Sequence, residues 1–245
     1  MKKLLASLAL LAATNAWAMD ANEEAGPSPS EFPTDFLVYS VTWQPSFCEM
    51  EKLRKPQDKW AAGCENAPQA FLTHGIWPYS KSIEPKNNRH PQFCEALSKC
   101  TGKECTISDE QMQAVLKIPK LANMVTQRPE GMFRHEWSKH GSCSGQELHS
   151  YFADFVNLRT VVKYDPSKFN QMIGKDTPFA EIKSAFPENT SFRCYQEQGK
   201  QYLHEVFYLI DRQGNPYNGE KNLQIGVACN DKAPTHIPGG KPHEI

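Results

Sequence analysis

Three things are missing from this 245-residue sequence, and each absence narrows what the chain can be. Beyond the first 18 residues no stretch approaches the roughly 20 consecutive apolar residues of a membrane-spanning helix, so a helical membrane protein is excluded. No internal repeat and no linker-like stretch breaks the middle, which points to one domain running from residue 32 to 245. No excess of positive charge exists either: 27 Lys and Arg face 28 Asp and Glu, for a formal charge of −1. A protein that grips nucleic acid by bulk electrostatics would be basic. Any such partner must therefore be held at a local site.

The first residues bear on compartment. Lys2 and Lys3, the apolar stretch Leu4 to Ala13 and the small-x-small Ala16-Trp17-Ala18 follow the order of a secretory signal peptide. Residues 1–18 are thus expected to be removed, leaving a periplasmic or secreted protein with no membrane attachment. Losing two lysines and no acid takes the formal charge to −3. Residues 19–31, rich in Pro, Ser and Glu, form an expected disordered lead-in. Eight cysteines follow: Cys48, Cys64, Cys94, Cys100, Cys105, Cys143, Cys194 and Cys229. An even number in an exported chain implies disulfides. Cys100 and Cys105 lack the second close pair of a zinc site, and suit a small clipped loop. Spacing alone leaves the pairing open.

Local patterns suggest an α+β domain. Phe36 to Thr42, Phe71 to Trp77 (stopped by Pro78), Leu203 to Ile210 and Leu223 to Cys229 have the composition of strands. Residues 44–70 are expected to be loop with a short helix. Ser108 and Gln111 form a capping box before a helix bearing Met112, Val115 and Leu116. Glu147 to Val162 has helical apolar spacing, and Thr177-Pro178 suggests an N-cap with proline at the first helical position. Gly131 and Gly141 bracket one more helix. Strands at both ends with helices between predict a central antiparallel sheet with surrounding helices.

That bracketed helix carries His135-Glu136-Trp137-Ser138-Lys139-His140. His135 and Lys139 lie one turn apart, as do Glu136 and His140, on columns about 100° apart. Two imidazoles, a carboxylate and an ammonium then share a patch while Trp137 turns toward the core. Ordinary exposed helix pairs are the bland alternative, but two histidines beside a lysine gain nothing in stability, and such convergence is common at catalytic sites. Zinc proteases need His-Glu-x-x-His; here the second histidine comes at i+5 and Lys139 occupies i+4, so no metal is expected.

A second segment, Thr73-His74-Gly75-Ile76-Trp77-Pro78, ends an apolar strand in a histidine and offers Trp77 as a flat face for a base. A buried structural histidine beside a core tryptophan explains this segment equally well when taken alone. Together the two segments supply histidines, a lysine, a carboxylate and an aromatic platform. That inventory suits cleavage of a phosphodiester by its own 2′-hydroxyl: one histidine takes the proton, another protonates the leaving oxygen, and cations stabilise phosphorus. DNA lacks the nucleophile and is expected to resist.

Thr73-His-Gly-Ile-Trp-Pro78 and Phe133-Arg-His-Glu-Trp-Ser-Lys-His-Gly-Ser-Cys143 resemble the two active-site boxes of the ribonuclease T2 family, and Val41-Thr-Trp-Gln-Pro-Ser-Phe-Cys48 resembles its N-terminal strand. Leu203-His-Glu-Val206 and the cysteines Cys194 and Cys229 agree more loosely. The resemblance implies an α+β ribonuclease that cleaves RNA without a cofactor through a 2′,3′-cyclic phosphate; a monomer is expected, though the sequence itself does not reveal oligomeric state. It implies His140 as general base, His74 as general acid, Glu136 and Lys139 supporting phosphorus, and His135 binding phosphate. Trp77 would stack on the base, with Tyr79 beside it. It also implies disulfides Cys94–Cys143 and Cys194–Cys229, leaving Cys48–Cys64 and Cys100–Cys105 by elimination. Many relatives carry an acid soon after the first Trp-Pro, where Tyr79 and Ser80 stand here; this departure implies broad base tolerance. An exported metal-dependent hydrolase and a disulfide-rich binding protein are the competing classes.

Overall fold

The computed structural model describes residues 34–55, 60–81, 90–94, 106–220 and 223–245. The leader, the lead-in and the Cys100–Cys105 loop lie outside the described residues.

Six strands form one sheet: β1 (Phe36–Trp43), β2 (Phe71–Tyr79), β3 (Asp176–Pro178), β4 (Thr190–Glu197), β5 (Lys200–Ile210) and β6 (Pro234–His236). Their order is β2-β1-β5-β6-β3, with β4 also paired to β5. The ladders are antiparallel except β5/β6, which is parallel, so the sheet is mixed rather than wholly antiparallel. The helices are α1 (Gln44–Arg54), α2 (Asp109–Leu116), α3 (Leu121–Met124), α4 (Glu130–Lys139), α5 (Leu148–Asn157), α6 (Pro166–Met172) and α7 (Phe179–Lys183). The class is α+β.

Local chemistry accounts for most boundaries. Ser108 accepts from the Gln111 backbone while the Gln111 side chain accepts from the Ser108 backbone, starting α2 as the sequence suggests. Several expectations need correction. Residues 44–54 are a full helix, because Pro45 fits the first turn, where its missing N–H is no loss. Pro78 does not stop β2, which runs on to Tyr79; β2 is an edge strand, where a missing donor is tolerated. Thr177-Pro178 belongs to β3, and α7 begins one residue later. Residues 223–229 are not a strand. They run beside β4 instead, the Ser191 hydroxyl donating to the Leu223 carbonyl and the Cys194 amide to the Val227 carbonyl.

The sheet has two apolar faces. The larger core joins Tyr39, Val41, Phe71, Ile76, Leu203, Val206 and Tyr208 to Phe133 and Trp137 of α4 and to Tyr151, Phe152 and Phe155 of α5. A smaller cluster on the other face holds Phe36, Val38, Trp77, Tyr79, Phe207, Leu209, Leu223 and Ile225. Strand side chains alternate between faces, so residues three apart should oppose one another. Two bulges break that rule. The β1/β2 register jumps from Ser40↔Gly75 to Val41↔Thr73, leaving His74 unpaired, and β4/β5 jumps from Arg193↔Glu205 to Cys194↔Leu203, leaving His204 unpaired. Phe71 and Ile76 therefore share the large core, and His74 falls beside Trp77 on the other face.

Among the described residues three disulfides tie this frame: Cys48–Cys64, Cys94–Cys143 and Cys194–Cys229. The second fastens the 90–94 segment to the end of α4, where the Phe93 amide also donates to the Lys139 carbonyl at 2.9 Å. Among the described residues, no helix is long and apolar enough to cross a membrane.

Candidate active site

The bulge in β2 aims His74 across β1 toward β5 and α4. Its Nδ1 lies 2.5 Å from Glu205 Oε1, and its Nε2 lies 3.3 Å from Glu136 Oε1. The His74 side chain keeps 30% of its surface open, whereas both carboxylates are almost wholly buried. Glu136 also accepts from the Trp77 indole at 2.7 Å, and its Oε2 stands 4.0 Å from His140 Nε2. One buried carboxylate thus bridges the two sequence segments.

That bridge requires glycine at position 75. A Cβ there would sit 1.9 Å from Glu136 Oε2 and 2.4 Å from Trp77 Nε1, so only a residue without a side chain lets α4 approach β2 this closely. At the other end of the helix, a Cβ on Gly141 would meet the Trp137 ring at 2.4 Å.

His140 caps α4, and its amide still donates to the Glu136 carbonyl, which keeps the expected one-turn relation. Its ring lies in an aromatic column: Trp77 stacks at 5.0 Å, His90 packs at 4.6 Å, and Tyr79 stacks on His90 at 4.5 Å. His140 Nδ1 and His90 Nε2 are buried without a hydrogen-bond partner. His135 is exposed, with its ring centroid 6.3 Å from that of His140. Lys139 is buried beside this group.

The two residues expected at the base are buried, as Glu136 and His140 are. Trp77 is 3% exposed, its ring covered by His140 and Phe207 while its N–H is committed to Glu136. Tyr79 is 1% exposed, packed between Phe36 and His90. Neither offers an open face to a base in this structure, because both belong to the smaller apolar cluster. The spacing argument against a metal also needs correction. The chain turns at His140, and ligand atoms of His135, Glu136 and His140 come within 4.8 Å of one another. The i+5 spacing therefore does not keep the two imidazoles apart. The Glu136 oxygens, however, already face the Trp77 N–H and the His74 imidazole.

Ionisation divides the histidines. Burial alone would lower His74, but Glu205 and Glu136 outweigh it and lift its pKa to about 9. Burial holds His140 well below the usual histidine value, with help from His90 and Lys139. Burial takes His90 down to about 3, and loss of hydration with the Lys139 charge takes His135 to about 4. Glu136 is pushed up by burial to about 7, against the pull of His74. Glu205 is different. Burial would raise it too, but His74 and Arg193 hold it well below the ordinary carboxylate range. A proton on Glu136 weakens its hold on His74, so Glu205 is the partner that stays charged across the neutral range.

The structure brings His74, His135, Glu136, Lys139 and His140 into one cluster. Sequence reasoning overlooked Gly75, His90, Arg193 and Glu205 as members of it. Glu205 did leave a trace: a charged residue inside the apolar run 203–210 must find a partner if buried. His90 left none, since nothing local marks a lone histidine at the end of a polar stretch of sequence.

Comparison with known proteins gives a consistent result. The family model described as the Ribonuclease T2 family matches residues 34–229. Ribonuclease 1 of Arabidopsis thaliana is 28% identical over 226 residues, covering 88% of this chain and 90% of its own. A protein named Ribonuclease from Aeromonas hydrophila is 28% identical over 246 residues, covering 95% and 91%. Among solved structures, RNase NT in complex with 5′-AMP superposes with a TM-score of 0.58 at 18% identity, over 84% of this chain and 99% of that one. Human RNase T2 gives 0.55 at 18% identity, with 84% and 99% covered. At that identity the two structures speak to fold.

Proposed function

The chain belongs to the ribonuclease T2 family, and on that footing we propose that it is an endoribonuclease that cleaves single-stranded RNA by cyclising transphosphorylation. The observation that carries the chemistry is the opposed state of two histidines 4 Å or less from one carboxylate: His74 is held charged and His140 neutral near pH 7.

In the first step the neutral His140 takes the 2′-hydroxyl proton as the 2′-oxygen attacks phosphorus. The P–O5′ bond breaks, its electron pair stays on the 5′-oxygen, and that oxygen takes the proton from His74 Nε2. Lys139 supplies positive charge to the phosphorane. The Glu136 carboxyl, pushed up to about 7, can donate a hydrogen bond to a phosphoryl oxygen when protonated. His135, exposed and neutral at rest, can donate to the same phosphate. Hydrolysis of the 2′,3′-cyclic product follows with the two histidines exchanging roles, giving 3′-phosphates. DNA has no 2′-nucleophile and is spared. Trp77 and Tyr79 contribute by holding His140 and His90 in place rather than by stacking on a base.

Three disulfides call for an oxidising compartment, which supports a periplasmic or secreted enzyme. Tyr79 and Ser80, not an acid, follow Trp77-Pro78 in the sequence, which supports broad base tolerance. Attack is intramolecular, so a metal is not needed to generate a nucleophile.

The test is an RNA digest in excess EDTA with products analysed for 2′,3′-cyclic ends. His74→Phe and His140→Phe should each lower turnover by about 10³-fold, within the usual range for a general acid or base, with thermal stability nearly intact. Near-normal turnover in either variant, or loss of parent activity in EDTA, sinks the mechanism. One strongly favoured base among the four homopolymers would overturn the tolerance.

A further inference from the structure

His74 meets two carboxylates, and they differ in kind. Glu136 approaches Nε2, the nitrogen assigned to the leaving oxygen, and shares its oxygens with Trp77 and the neighbourhood of His140. Glu205 takes the other ring nitrogen. It is 1% exposed, and both of its oxygens are engaged: Oε1 accepts from Thr42 Oγ1 at 3.1 Å as well as facing Nδ1, and Oε2 accepts from Arg193 at 2.9 Å. Those partners come from three separate strands, β1, β2 and β4. Glu205 pairs with Thr42 in regular register and alternates with Phe207 and Leu209, which puts it on the face to which the β2 bulge turns His74. A carboxylate so braced cannot swing to the substrate; it can only orient the ring in front of it.

From this geometry we infer that Glu205, locked by Arg193 and Thr42, is the positioning residue of the acid: it holds the Nδ1 proton of His74 and so keeps Nε2 aimed and protonated for delivery to the 5′-oxygen. The inference rests on His74 being the acid, as proposed above. It gives Glu205 no contact with RNA and no share in phosphate binding. Several charged or titratable groups surround the ring. Glu205 and His204 lie on β5, Arg193 on β4, and Glu136, His135 and His140 on α4 and its cap. Of the two carboxylates among them, Glu205 is the one ionised throughout the neutral range. Its removal should therefore be felt on the acid alone.

The experiment compares two substrates in Glu205→Gln. Gln keeps an acceptor for Nδ1 but loses the charge. On RNA, kcat should fall about 10²-fold with KM little changed, the low end of a general acid's usual contribution. On uridine 3′-(p-nitrophenyl phosphate), whose leaving group departs without a proton, kcat should fall less than about threefold. Titration of the His74 ring followed by NMR should move to lower pH in the variant. Equal losses on both substrates, or an unmoved His74 titration, would show a merely structural role and overturn the inference. If Glu205→Gln fails to fold because it loses the ion pair to the half-buried Arg193, the double variant Glu205→Gln with Arg193→Gln removes that charge and carries the same comparison. His74→Phe is run in parallel and should show the same dependence on leaving group. If His74→Phe retains RNA turnover, the acid assignment itself fails. If His74→Phe behaves as an acid variant and Glu205→Gln does not, only the role of Glu205 fails.

Discussion

His74 and His140 are the same side chain beside the same carboxylate, yet their surroundings drive them in opposite directions. His74 stands at an open edge between two acids, and the charges beat burial. His140 is enclosed by Trp77 and His90 with Lys139 nearby, so burial and positive charge act together. The opposed states behind the proposed acid/base pair arise because one ring is placed against carboxylates and the other against aromatics. Distance from Glu136 matters as well: 3.3 Å for the first ring and 4.0 Å for the second.

The contrast depends most on Gly75, since it admits Glu136 between the two rings. Gly75→Ala should force the carboxylate and the Trp77 indole apart. We expect at least a 10²-fold loss of RNA turnover, on the scale of a misplaced catalytic group. The strain should cost about 1–3 kcal/mol in chemical denaturation. Parent-like activity in the alanine variant would mean the close approach is dispensable.

Glu136→Gln asks whether the shared carboxylate sets the alkaline side of the pH profile. As pH rises through about 7 the parent loses the Glu136 proton and its ability to donate to a phosphoryl oxygen, so kcat/KM should decline there. Gln donates at every pH. The variant should be roughly tenfold slower at its optimum, with its alkaline limb moved upward toward that of His74. A limb that stays near 7 assigns it to another group.

The smallest effect concerns the enclosed side. His90 is held neutral in the fold, with a pKa of about 3 against 6.5 for an ordinary histidine. Its stability contribution is complete above pH 6.5 and is lost as pH falls toward 3. Each unit in that window costs on the order of 1 kcal/mol. His90→Phe keeps the ring contact and should lessen the slope of unfolding free energy between pH 6 and 4 by about that amount per unit. An unchanged slope would place the acid sensitivity on other groups.

Much of the site is legible in the sequence. His135, Glu136, Lys139 and His140 are local to one helix, and the 3.6-residue period alone brings them to one patch. The capping box at Ser108 and the strand character of 36–42 and 203–210 were equally local. What failed was what depended on neighbours. Pro78 ends a strand only if that strand is central, and its edge position is a property of the sheet. Trp77 is an aromatic platform only if uncovered, and burial is decided by His140, from a segment more than 60 residues away. Residues 223–229 have strand composition, but they serve as a disulfide-tethered flank to β4.

By itself the sequence determined the residue types of the proposed acid/base site, their clustering on α4 and the family to which the chain belongs. Tertiary structure decided which histidine holds a proton and which does not. That choice comes from burial and from charges brought by β4 and β5, and it hangs on the β2 bulge that turns His74 onto the face carrying Glu205. Bulges and burial are set by pairing partners distant in the chain, and no local periodicity encodes them.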